Sequence, residues 1–126
     1  MWIYNNGVYT MGIIIENVTY FQALGISKNI PNASYVLRGT QLEWEDERDT
    51  PSRDQIDTWG TEAETRVKLR RLRLDRNERL QETDWSQSAD VPESTKTKWQ
   101  VYRQELRDIT NTYSSIDTVI WPTIPE

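Results

Sequence analysis

Apolar and polar positions change their rhythm along the chain, and the change divides it into two kinds of structure. Trp2-Ile3-Tyr4-Asn5 and Val8-Tyr9-Thr10 are short β-prone runs on either side of Asn6-Gly7. That dipeptide tolerates the positive φ angles of a tight hairpin turn. Gly12 to Glu16 and Val18 to Phe21 are also β-branched and aromatic at strand length, and Tyr35 to Arg38 with Gln41 to Trp44 form another such pair around Gly39. Residues 1–45 are therefore expected to form a small antiparallel β unit. Residues 46–57 are acidic and interrupted by Pro51, which predicts a linker.

From about Trp59 to Gln81 the residues are strong helix formers, with Asp57 or Thr58 available as a cap. At about 100° per residue, Ala63, Val67 and Leu74 fall on one side of this helix and Leu69, Leu72 and Leu80 on the other. One stripe can pack within its own subunit and the other against a second copy or a client. A second helix, capped by Ser94, carries Trp99, Tyr102, Leu106 and Ile109 at spacings of three, four and three. The short connection after Thr83 predicts a helical hairpin, and Pro122 and Pro125 keep the tail extended. The expected fold is α+β: an N-terminal β unit, a linker over 46–57, and a helical domain over 58–126 comprising a long helix, a hairpin and an extended tail.

Composition then narrows the function. The chain has no Cys and no His, so a disulfide framework, a thiolate metal site and the usual neutral-pH general base are all excluded. The carboxylates Glu43, Glu45, Asp46 and Glu47 lie in a solvated charge run without metal-ligand or glycosidase patterning. No catalytic residue, metal site or cofactor is expected. Six Trp and six Tyr against a single Phe favour rings with a polar handle, which suit interfaces as well as small cores.

A net charge of −5 opposes binding to nucleic acid and anionic membrane, even though Arg66 to Arg79 is locally basic. The opening residues have no basic segment before an apolar run, so the chain is expected to stay in the cytoplasm where it is made.

Five blocks in the second half occur in a telling order. Arg76-Asn77-Glu78-Arg79-Leu80 is followed by Thr83-Asp84-Trp85, then Asp90-Val91-Pro92, then Trp99 with Tyr102 to Ile109, and finally Trp121-Pro122. Over residues 72–122 the chain resembles the phage tail assembly chaperone domain of tail-fibre assembly proteins. Gln81-Glu82 and Ser86-Gln87-Ser88 stand where that pattern is usually more apolar.

Read physically, the motif residues Asp84, Trp85, Asp90, Trp99, Tyr102, Arg103, Leu106, Arg107, Asp108, Trp121 and Pro122 are mainly scaffold. Asp84 can accept backbone N–H groups in the turn, Trp85 can plug the hairpin end, and Arg103 and Arg107 can reach Asp84, Asp90 or Asp108. The resemblance implies a chaperone that helps a trimeric tail fibre fold, trimerise or assemble by capping its distal tip. It implies work in the host cytoplasm during phage assembly.

On this reading residues 1–45 hold the client, with Trp2, Tyr4, Tyr9 and Tyr20 as contacts. Symmetry predicts three copies per fibre, joined through Ala63, Val67 and Leu74. The alternative is a structural virion component, a tip or adaptor that stays on the fibre.

Overall fold

The computed structural model describes the backbone of residues 2–5 and 8–126 and the side chains from residue 12 onward. The chain divides into two compact units, 1–64 and 65–126, and the boundary falls inside one long helix.

The first unit is built on short strands. Strands β1 (Trp2–Asn5) and β2 (Val8–Met11) pair antiparallel with Asn5 opposite Val8, the register of a two-residue hairpin loop. Asn6 and Gly7 themselves lie outside the described residues. A second sheet has the order β3-β5-β4, from β3 (Ile13–Ile15), β4 (Tyr35–Arg38) and β5 (Gln41–Trp44), all antiparallel. Gly39 turns β4 into β5 with a φ of 63°, a left-handed conformation that glycine adopts without a steric penalty.

Val18 to Phe21, expected as a strand, instead starts a helix, α1 (Tyr20–Asn29). The physical reason is a capping box. The Thr19 hydroxyl accepts from the Gln22 backbone N–H at 3.2 Å, and the Gln22 carbonyl oxygen Oε1 accepts from the Thr19 N–H at 2.9 Å. These two bonds outweigh the β preference of Tyr20 and Phe21. Asn29 donates back to the Gly25 carbonyl at 2.8 Å, and Pro31 prevents further helix.

The acidic stretch after β5 is fastened to this unit. Asp46 accepts from the Ser34 N–H at 2.8 Å and pairs with Arg48 at 2.8 Å, and Arg48 donates onward to the Pro31 carbonyl at 3.0 Å. The Trp44 indole donates to the Arg48 carbonyl at 3.0 Å. Helix α2 (Arg53–Glu82) starts within this stretch, about six residues before the expected start. Ser52 is its cap in place of Asp57 or Thr58: its hydroxyl accepts from Gln55 N–H at 3.2 Å, and the Gln55 side chain accepts from Ser52 N–H at 2.9 Å. Arg53 also donates to the carbonyls of Glu16 and Asn17, at 2.8 and 2.7 Å.

The core of this unit comprises Val18, Ile26, Leu42, Trp44 and Ile56, with Tyr35 and Trp59 packed against it. The rings of Tyr35 and Trp44, cross-strand partners, stack with centroids 6.4 Å apart. Helix α1 approaches the first turns of α2 closely enough to require glycine on both. A Cβ on Gly25 would lie 2.5 Å from the Trp59 carbonyl oxygen, and one on Gly60 would strike the Gln22 side chain.

In the second unit, the rest of α2 leads through a 3₁₀ turn (Asp84–Gln87) into α3 (Glu93–Arg107), followed by a single helical turn, α4 (Ile109–Thr112). Pro92, not Ser94, occupies the cap position of α3 and supplies no side-chain cap. Leu72 of α2, Tyr102 and Leu106 of α3 and Ile109 of α4 are buried, while Leu69, Leu80 and Trp99 are half-buried, so most of the predicted apolar face faces inward but the expected single helix breaks before Ile109. The tail after Tyr113 has no regular secondary structure, and Lys68 pairs with Asp117 at 2.7 Å. Among the described residues no helix is long and apolar enough to cross a membrane.

Gly25→Ala gains up to about 1 kcal/mol in helix propensity but drives a methyl into backbone that cannot swing aside. A net loss of about 1–3 kcal/mol in urea denaturation, followed by Trp fluorescence, is expected.

The side-chain hydrogen bond from Arg48, with the N–H groups of Arg48 and Ser34, holds the Asp46 carboxyl well below the usual carboxylate range. A depressed folded-state pKa gives stability that is present above the ordinary value of about 3.9 and lost as pH falls below it. Asp46→Asn should therefore be less stable than wild type at pH 7, and the gap should close steadily below about pH 4.

Candidate interaction site

The second unit is organised where α2 ends. The last carbonyls of any helix lack partners within it; here the Thr83 hydroxyl lies 3.0 Å from both the Arg79 and Leu80 carbonyls, and Arg103, reaching across from α3, gives Leu80 a charged donor. Its Nη1 donates to the Leu80 carbonyl at 2.6 Å and to the Thr83 hydroxyl at 2.8 Å, while Nη2 donates to Asp84 Oδ1 at 2.9 Å. A cation at a helix C-terminus also complements the helix dipole. Arg103 is only 8% exposed, whereas its carboxylate partner faces water, so the stabilising part of this contact is the buried fork onto backbone and hydroxyl.

Around that fork the turn satisfies its own polar groups. Ser86, fully buried, donates its hydroxyl to the Thr83 carbonyl at 2.6 Å and accepts from the Gln87 amide at 3.0 Å. Backbone bonds from Ser86 to Thr83, Ser88 to Trp85 and Val91 to Ser88 continue the turn towards α3. The polar residues at 86–88 thus fit a site closed by hydrogen bonds.

Beside the turn runs an aromatic ladder. Trp85 meets Trp99 edge-on at 5.2 Å between centroids, and Trp99 meets Tyr102 edge-on at 5.6 Å. Tyr102 is buried and Trp99 half-buried, but Trp85 remains 52% exposed, so it covers the hairpin end only in part. On another side, the Arg79 guanidinium lies 4.1 Å from the centre of the Trp121 ring and donates to Asp75 at 3.3 Å. Trp121 and Pro122, both half-buried, border an open groove with Glu105, Asp108, Ile109 and Ile120.

The motif residues therefore separate by position. Asp84, Trp85, Trp99, Tyr102 and Arg103 come together at the turn, and Leu106 is buried behind them. Asp84 receives the Arg103 guanidinium, not the backbone N–H groups expected of it. Arg107 is exposed, and its carbonyl receives a long bond of 3.5 Å from Arg76. Asp108 accepts from Gln104 at 3.1 Å, and Asp90 is exposed.

Of the residues expected at an outer stripe, Ala63 is buried, Val67 is half-buried and Leu74 is 57% exposed. Tyr20, at the first position of α1, is 67% exposed, while the side chains of Trp2, Tyr4 and Tyr9 lie outside those described. The sequence assigned no role to Thr83, Ser86 or Arg79. Thr83 and Ser86 flank Asp84-Trp85 and could have been suspected from that position, but the pairing of Arg79 with Trp121 has no local signal.

Residues 69–126 match the family model of the phage tail assembly chaperone protein. Neither a curated protein nor a solved structure matches the chain. The match spans the end of α2, the turn, α3 and the tail, so the Arg103 fork, the aromatic ladder and the Trp121 contact all lie within the family domain. Residues 69–126 are therefore similar to a phage tail assembly chaperone domain, a likeness that supports a role in phage tail assembly.

Arg103→Ala should cost about 2–3 kcal/mol in urea denaturation, because the charged donors to Leu80 and Thr83 disappear from a buried site. Arg103→Lys keeps the charge without the fork and should recover less than half of that. Asp84→Ala removes an exposed partner and should cost under about 1 kcal/mol. Equal losses for the Arg103 and Asp84 variants would assign the stabilisation to the ion pair instead.

Proposed function

We propose that the chain is a non-catalytic chaperone that binds the distal tip of a trimeric phage tail fibre and caps it while the fibre folds and trimerises. It acts in the host cytoplasm during phage assembly, with three copies per fibre and without nucleic acid, membrane or cofactor. The observation that carries the reading is the family domain over residues 69–126. Fibre folding supplies the physical need: slow, non-local β pairing leaves strand edges that aggregate unless they are covered.

The first unit offers a complementary surface. Within its three-stranded sheet, β3 and β4 are the outer strands, each paired on one side with β5. β3 is Ile13-Ile14-Ile15, without charge or proline to discourage a further strand, and Ile13 is 52% exposed. Strand addition to such an edge combines backbone hydrogen bonds with apolar contacts. Tyr20, exposed at the start of α1 in the same unit, adds an aromatic contact with a polar tip. On this reading the first unit grips and the family domain is scaffold.

Co-expression with a candidate fibre tests it. Ile13→Lys and Tyr20→Ser together, both at exposed positions, should lower fibre co-purification at least tenfold while the thermal melting of the free chain changes little. Undiminished co-purification would remove the grip from this unit. Presence of the chain in purified particles at fibre stoichiometry would favour a structural component over a chaperone.

A further inference from the structure

We infer that two copies of the chain pair through α2, antiparallel, with Leu74 of each at the centre of the contact. The inference concerns the free protein and holds whether or not a fibre is the client. Leu74 is the large apolar residue that α2 leaves well exposed, and its exposed neighbours on that face are Arg70, Arg71, Asn77 and Glu78.

With about 3.6 residues per turn, Arg71 and Glu78 lie within about 20° of each other, on one flank of Leu74. Arg70 and Asn77 lie on the other flank by the same geometry. All four are exposed, and among the described residues neither Arg71 nor Glu78 has an ion-pair partner.

These positions make the face complementary to itself in one orientation only. At about 1.5 Å per residue, Arg71 lies roughly 4.5 Å before Leu74 and Glu78 roughly 6 Å beyond it. A two-fold axis that brings two antiparallel copies together at Leu74 sets Arg71 of one beside Glu78 of the other, and symmetry makes the contact twice. Arg70 then faces Asn77, a neutral neighbour. Parallel copies, in a pair or around a three-fold axis, would set Arg70 beside Arg71 at every contact, which is repulsive.

The apolar contribution comes from Leu74 against Leu74, extended by the methylene stems of the arginines and half-buried Val67. This patch is smaller than the roughly 800 Å² per partner of a durable complex, so the pair forms reversibly and in proportion to concentration.

Sedimentation equilibrium of the full chain, from micromolar to millimolar concentration, tests the pairing. Wild type should self-associate to a dimer, and Leu74→Asp should be monomeric throughout with an unchanged helical spectrum. Arg71→Glu and Glu78→Arg, each alone, create two like-charge contacts and should dimerise at least fivefold more weakly.

Mixed in equal amounts, the two variants should pair with each other at close to wild-type strength, because each supplies the charge the other lacks. A parallel pair would instead be strengthened by Arg71→Glu. A monomeric wild type, a dimeric Leu74→Asp, or a mixture no tighter than its components would overturn the proposal.

Discussion

The second unit depends on one side chain's reach across a turn. A helix as long as α2 ends in carbonyls that need donors, and Arg103 gives the Leu80 carbonyl a charged one. The same guanidinium takes hold of Thr83 and Asp84, the residues at which the chain changes direction. Helix end, turn and returning helix are thereby joined by one planar group whose fork geometry lysine cannot reproduce. The aromatic ladder and the buried leucines add area, but they require the two helices to be held in register first. Ser86, buried and doubly bonded in the turn, shows how little room there is for another arrangement.

The same turn gathers most of the motif residues. Asp84, Trp85, Trp99, Tyr102, Arg103 and Leu106 are spread over more than twenty positions yet gather around one turn. Most of them are occupied with each other, which fits a scaffold. Trp85 differs, with half of its surface left to solvent beside a rigid aromatic stack. The first unit has a different chemistry: a small sheet with an apolar outer strand, and a helix crossing so close that Gly25 and Gly60 have no room for a side chain.

Much of this was readable from residue order. The period of Trp99, Tyr102 and Leu106 identified the inward face of α3, and Gly39 marked the β4–β5 turn. The reach of Arg103 to Asp84 was also among the expected contacts. The misreadings have local causes. Val18 to Phe21 looks like a strand by residue type, but Thr19 and Gln22 close a capping box that needs only side-chain oxygens three residues apart. The acidic stretch looked like a linker because composition does not show that Asp46 and Arg48 bind the Ser34 and Pro31 backbone. The Leu80 carbonyl as the main object of Arg103, and Trp121 under Arg79, arise only once the chain has folded back on itself.

The turn between α2 and α3 is held as firmly as the helices it joins. Native-state amide hydrogen exchange on the intact chain measures this residue by residue. The N–H groups of Thr83 and Ser86 should be protected to the same level as those in the middle of α3 and open together with them. Turn amides that exchange orders of magnitude faster than α3, through a separate local opening, would contradict it.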